Sequence, residues 1–294
     1  MLFLISITAV LPSVLFSSGG VPLPNIDTEI PAEQEEQNFN DELSKQAPPS
    51  SAGAFERISY ALKVLKEGNG FKSYYSSVFD VMNNQQTVYM RSYKGNGYDL
   101  TEEWYKMYGI GASMGRNEFR THFSDGQTIK RRLITNKNHY NIDTKTYTAS
   151  YADEVKEFTL DQWFNIEKQT RLNHFPIDVT KDNINIINFD KTSDTKNYII
   201  KFKMNLSRLP EEYLAIFKNN GGENVVINEV SLTFKISKKT GFLISYEKIE
   251  KFSASYAGLS APCQYYTKES FEKMHTSFYP EIKALAVASF GVQI

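Results

Sequence analysis

The stretch EFRTHFSDGQTIKRRLIT, residues 118–135, decides the fold class. Phe119, Thr121 and Phe123 alternate with Glu118, Arg120 and His122, the two-residue period of a strand with one face turned inward. Asp125-Gly126 follows, a dipeptide that favours a tight hairpin, and Thr128 to Thr135 leads away again. Two neighbouring antiparallel strands are thus written into one short segment.

The same pattern recurs on both sides. Residues 71–81 and 85–94 are rich in β-branched and aromatic types, and Asn138–Asp143 and Thr146–Tyr151 continue the run. Tyr198, Ile200, Phe202, Met204 and Leu206 alternate with Ile199, Lys201, Lys203 and Asn205. Val226 to Ile236 reads as a long strand, and Lys238-Lys239-Thr240-Gly241 turns it into Phe242–Phe252. Helices come between these runs. One spans about 52–67, with Phe55, Ile58, Ala61, Leu62 and Leu65 on one face and Gly68-Asn69-Gly70 ending it. Thr159-Leu160-Asp161-Gln162 is a capping box that opens a second helix carrying Trp163 and Phe164. A third is expected over Leu209–Lys218, capped by Ser207, and a short one near Lys268–Met274. Gly95 to Gly115 reads as a long loop, and Ala284 to Ile294 as an apolar tail.

Runs of strands with helices between them, rather than strict alternation, predict an α+β fold. Its mainly antiparallel sheet is expected to curve strongly into an unclosed half-barrel, with helices packed on its concave face. Three regions are expected along the chain: a signal-like apolar segment over 1–20, an acidic, proline-rich disordered linker over 21–52, and one globular domain over 53–294.

The first region holds a fifteen-residue apolar stretch, Leu2–Phe16, broken by Ser6, Thr8, Pro12 and Ser13. It is shorter than the ~20 residues of a spanning helix and is followed by small residues at 17–20, as a secretory signal requires. No basic residue precedes it, and no cysteine stands where a lipid anchor would attach. Export is the expectation, with release after cleavage or tethering by the uncleaved segment. The linker carries Asp27, Glu29, Glu33, Glu35, Glu36, Asp41 and Glu42 before the first basic residue, Lys45.

Whole-chain charge is −1, so the rest of the molecule is formally +6. That is mild attraction to an anionic envelope surface and not a nucleic-acid footprint. Hydrophobic residues make up 41% of the chain, and Phe 20 with Tyr 18 supply large areas to bury. One cysteine excludes an internal disulfide, and four histidines share no ligand spacing, so no metal and no cofactor are expected.

Chemistry-bearing motifs are absent or weak. Gly109-Ile110-Gly111-Ala112-Ser113-Met114-Gly115 has one residue too many for a dinucleotide fingerprint and reads as a loop. Lys130-Arg131-Arg132 lies in a strand and points to both faces, so it reads as a solvated edge and not a phosphate site. His122 with Asp125, His139 with Asp143, and Cys263 are the nearest approaches to catalytic groups, and none matches a known arrangement.

What remains is the apolar stripe: Val88, Met90, Phe119, Phe123, Leu133, Phe202, Met204, Leu232, Phe234 and Ile244, with Trp163 and Phe164 on a helix that could act as a lid. An ordinary core explains each residue singly; together, on a curved sheet with few helices, they suit a lipid-like ligand.

Three segments carry a family resemblance: Phe123-Ser124-Asp125-Gly126-Gln127, His139 to Tyr147, and the strand–turn–strand Ile236 to Ser245. The order of elements over 52–275 resembles the outer-membrane lipoprotein carrier (LolA-like) proteins and the related lipid-binding lipoproteins of Gram-positive envelopes. The resemblance implies a half-barrel and non-enzymatic binding of a lipid or acylated protein by a monomer. The alternative is a surface interaction or sensor module with a filled interior, binding another envelope protein through its basic face.

Overall fold

The computed structural model describes residues 46–67, 71–81, 84–95, 98–108, 116–141, 146–166, 179–209, 213, 223–256, 259–273 and 280–291. Eleven strands form one sheet: β1 Phe71–Val81, β2 Asn84–Gly95, β3 Tyr98–Tyr108, β4 Arg116–Ser124, β5 Thr128–Asn141, β6 Thr146–Thr159, β7 Ile184–Asp190, β8 Asn197–Met204, β9 Glu223–Ser237, β10 Leu243–Tyr256 and β11 Leu259–Lys273. Among the described residues three whole α-helices accompany them, α1 Ala54–Glu67, α2 Leu160–Ile166 and α3 Pro280–Phe290, with a 3-10 turn at Leu206–Arg208 and a helical residue at Tyr213. Spatial order is β6-β5-β4-β3-β2-β1-β11-β10-β9-β8-β7, and every paired neighbour is antiparallel.

This corrects the expected class. The molecule is a mainly-β open sheet and not an α+β half-barrel with helices as a principal packed component. The helices are short, and two segments read otherwise belong to the sheet. Lys268–Lys273, expected as helix, ends β11, which runs antiparallel to β1 and β10. Tyr98–Tyr108, expected within a loop, is β3. Ser207, expected to cap a third helix, lies inside the 3-10 turn, which Asn205 caps by accepting from the Ser207 N–H. Leu209 is extended, and most of the helix expected over 209–218 lies outside the described residues.

Local chemistry explains the turns. Asp125 Oδ1 accepts from the N–H groups of Gln127 (2.9 Å) and Thr128 (2.7 Å), and Gly126 takes φ +83°. These amides, that of Thr128 foremost, hold the Asp125 carboxyl below its usual range. The capping box forms as the sequence requires: Gln162 N–H donates to Thr159 Oγ1 (3.2 Å) and Thr159 N–H to Gln162 Oε1 (3.0 Å).

Both faces carry apolar clusters, at different ends. Helix α1 buries Ile58, Ala61 and Val64 against Ile200, Phe202, Leu232, Phe234, Tyr246 and Phe252 from β8, β9 and β10. On that same face, Trp163 of α2 closes a small cluster with Ile129 and Phe158. The opposite face holds Tyr93, Leu100 and Phe123 against Ala286 of α3, with Trp104, Phe119 and Ile134 beside them. The segment read as linker ends on the body: Ala52 is buried, and Arg57 donates to the carbonyls of Pro49 (2.7 Å) and Ser50 (3.1 Å). Residues 1–45 lie outside the described residues. No helix among the described residues is long and apolar enough to cross a membrane.

Candidate functional site: an ionisable floor between two helices

The register of the ladders shows which side chains share a face. On the α1 face one rung runs Ile200, Phe234, Tyr246, Glu269, Tyr75, Met90, Glu103, Arg120, Leu133, Glu154. The next runs Phe202, Leu232, Lys248, Thr267, Ser77 and Val88, and continues on β4 and β5 with Glu118 and Thr135. A third adds Phe271, Ser73, Ser92, Thr101, His122 and Arg131. The face therefore changes character from strand to strand: apolar under α1, then polar and ionisable from β10 to β4, then apolar again at Trp163. The middle is a floor with a helix at each end.

Its polar groups are buried and joined. Ser73, Ser77, Thr267 and Glu269 are each at most 6% exposed. Ser77 and Thr267 hydroxyls lie 3.1 Å apart, and those of Ser92 and Thr101 3.3 Å. Lys248 pairs with Glu250 at 3.0 Å, and Tyr213 donates its hydroxyl to the same carboxylate. Arg120 grips Glu118 through Nε (3.0 Å) and Nη2 (2.6 Å) and stands 3.9 Å from Glu103. His122 rests edge-on against Trp163, with centroids 4.9 Å apart.

Desolvation dominates the titration of Glu103, Glu269 and Tyr246. Burial pushes Glu103 up, with Arg120 opposing and Glu118 reinforcing. Burial likewise lifts Glu269 to about 7, although Ser73 and Tyr246 hydrogen-bond it and Lys248 attracts it. Tyr246 is raised well above the usual tyrosine range for the same reason, Glu269 adding to it.

A carboxyl raised on folding binds its proton more tightly folded than unfolded. The stability it contributes is full below about pH 4.5 and is lost as pH rises through about 7. Glu269→Gln removes that loss. The variant is expected to be about 2–3 kcal/mol more stable than wild type at pH 8, the gain shrinking to nothing by about pH 4, in urea titrations across pH. An equal difference at both pH values would place the effect in packing.

The sequence-selected residues scatter over this geometry. Phe202, Met204, Leu232, Phe234 and Ile244 belong to the core under α1. Phe119 and Phe123 face the opposite side of the sheet, towards Trp104 and the α3 cluster. Trp163 is fully buried at the end of the floor, while the side chain of Phe164 lies outside the described residues. Val88, Met90 and Leu133 remain, on the floor itself and outside the apolar clusters of the described residues.

Sequence reading missed Glu269, Glu103, Tyr75, Lys248 and Glu250. A signal existed for two of them: Lys248 and Glu250 fall at the same parity as Tyr246 and Phe252, on the inward face of an otherwise clear strand. The other motifs found ordinary partners. Lys130, Arg131 and Arg132 meet Glu157, Glu154 and Asp153 across β5–β6, Arg132 through two contacts of 3.0 and 2.8 Å. Cys263 is buried in β11, and Asp125 serves its turn rather than His122. The loop 109–115 and His174 lie outside the described residues, as does the side chain of His139. Among the described residues no cluster of His, Cys, Asp and Glu is placed to hold a metal. No protein-family model matches the chain, and no curated protein matches it.

Proposed function

We propose that this is an exported, non-enzymatic binding protein of the bacterial cell envelope that takes an amphipathic ligand, a lipid or lipid-modified partner, on the floor between α1 and α2. One observation carries the reading: Val88, Met90 and Leu133 interleave there with Glu269, Glu103 and Arg120. Such a buried to half-buried lining matches a molecule that is apolar along its length and polar at one end. The apolar segment Leu2–Phe16 supports export, and the resemblance to lipoprotein carriers supports the ligand class.

The test is native mass spectrometry of the chain purified from bacterial cells, followed by solvent extraction. An acyl species in stoichiometric amount is expected. Met90→Glu, which puts a charge in the middle of the floor, should weaken uptake of a fluorescent fatty-acid probe at least tenfold while far-ultraviolet circular dichroism stays unchanged. A clean apo mass with no probe uptake removes the reading.

A second reading has its own support. Phe202 and Phe234 are completely buried beneath α1, so that half of the interior is packed. A packed interior suits a module that binds an envelope protein through charged surface, and such binding weakens with salt whereas apolar capture does not.

A further inference from the structure

We propose that the acidic segment 27–42 of this chain docks on its own lysine-rich end, formed by the β7–β8 and β9–β10 turns. This goes beyond the ligand reading and does not depend on it.

Six cations gather at that end. The Arg57 guanidinium lies 3.9 Å from the Tyr198 ring centroid and 5.9 Å from that of Phe189. Lys191 stands 4.7 Å from Phe189, and Lys238 5.5 Å from Tyr198. Lys196, Lys235 and Lys239 complete the group, with Lys191, Lys196 and Lys239 exposed.

Two carboxylates share the β7–β8 turn, and local amides already engage both. Asp190 Oδ1 accepts from the N–H groups of Thr192 (2.8 Å) and Ser193 (2.9 Å). Asp194 Oδ1 accepts from those of Lys196 (2.8 Å) and Asn197 (2.9 Å), and its other oxygen lies 3.6 Å from Lys235. The end thus keeps an excess of positive charge.

The chain enters the body beside it. A methyl placed on Gly241, the last residue of the Lys238–Gly241 turn, would collide with Tyr60 and stand 3.5 Å from the Ala47 methyl. Pro49 and Ser50 are held by Arg57, itself part of the group. Glu42 is five residues from Ala47 and Glu33 fourteen, so extended chain reaches about 17 to 50 Å, enough to cover both turns. All seven acids before Lys45 stand in this segment, with no base among them. A short tether holds them at roughly millimolar effective concentration, so even weak ion pairing populates the contact.

The test is zero-length carbodiimide cross-linking of the full chain at low salt, read by peptide mass spectrometry. Expected are amide links from residues 27–42 to Lys191, Lys196, Lys238 or Lys239, exceeding those to the equally exposed Lys201 and Lys203 and falling several-fold in 0.5 M NaCl. In the triple variant Lys191→Gln, Lys196→Gln, Lys239→Gln the total intramolecular yield should drop at least fivefold. Links spread evenly over surface lysines, or a total yield unchanged in the variant, overturns the proposal. Links between chains whose yield rises with protein concentration also overturn it, assigning the patch to a second copy.

Discussion

Arg120→Met is expected to destabilise the protein by about 3–5 kcal/mol at pH 8, the range for breaking a buried ion pair by removing one partner. Arg120 makes two hydrogen bonds to Glu118, whose side chain is 1% exposed, and is the cation nearest Glu103 on the floor. Methionine fills much of the same volume but leaves two carboxylates facing each other, Glu118 fully buried and Glu103 mostly so. The cell of dielectric around them cannot stabilise both charges, so protonation becomes the cheaper state. Glu103, already raised on folding by burial, loses the one cation that opposes that rise, so stability falls as pH rises. The loss measured by urea denaturation should therefore be visibly smaller at pH 5 than at pH 8. A pH-independent loss would mean that Arg120 matters for packing rather than charge.

Phe234→Ala is the second large effect, at about 3–5 kcal/mol for a fully buried aromatic. Phe234 is 0% exposed and edge-on to Phe202 at 5.0 Å, with Tyr246 at 6.1 Å on the neighbouring strand. Truncation leaves a void under α1 that the long strands β8, β9 and β10 cannot close without bending. Chemical denaturation with near-ultraviolet circular dichroism reads the loss. A cost below about 1 kcal/mol would show that the space under α1 is emptied easily, and would move the ligand site from the floor to that half of the sheet. A charged substitution at Phe234 tests the core, whereas one at Met90 tests ligand uptake.

The strands with strict alternation were legible, as were the Asp125-Gly126 hairpin and the Thr159–Gln162 capping box, because each is written in neighbouring residues. The strands that were missed carry their charges for distant reasons. In β3, Glu102 and Glu103 look like a polar break, yet they project to opposite faces and meet Arg91 at 2.8 Å and Arg120 at 3.9 Å. In β11, Lys268 to Lys273 has helical composition, but Glu269 stands in register with Tyr246 and Tyr75, the latter almost two hundred residues away. No local propensity records a partner that far off. The site suffered from the same blindness. Residue chemistry alone singles out the aromatic positions, while the face on which each one falls is set by pairing register.

The pairing of β1 with β11 has a consequence for how the chain reaches this state. Strands β1 to β6 form one meander and β7 to β11 another, each built from hairpins between successive strands. Only the β1–β11 ladder joins them within the sheet, eleven residue pairs from Phe71↔Lys273 to Val81↔Cys263. Hairpins close quickly, whereas this junction must bring together residues separated by most of the sequence. The two meanders are therefore expected to form early and the junction late, an order that pulsed hydrogen exchange during refolding would read. A strand-directed fault line runs through the middle of the sheet, where β1 is needed to cover an edge of β11 that would otherwise stand open to other chains.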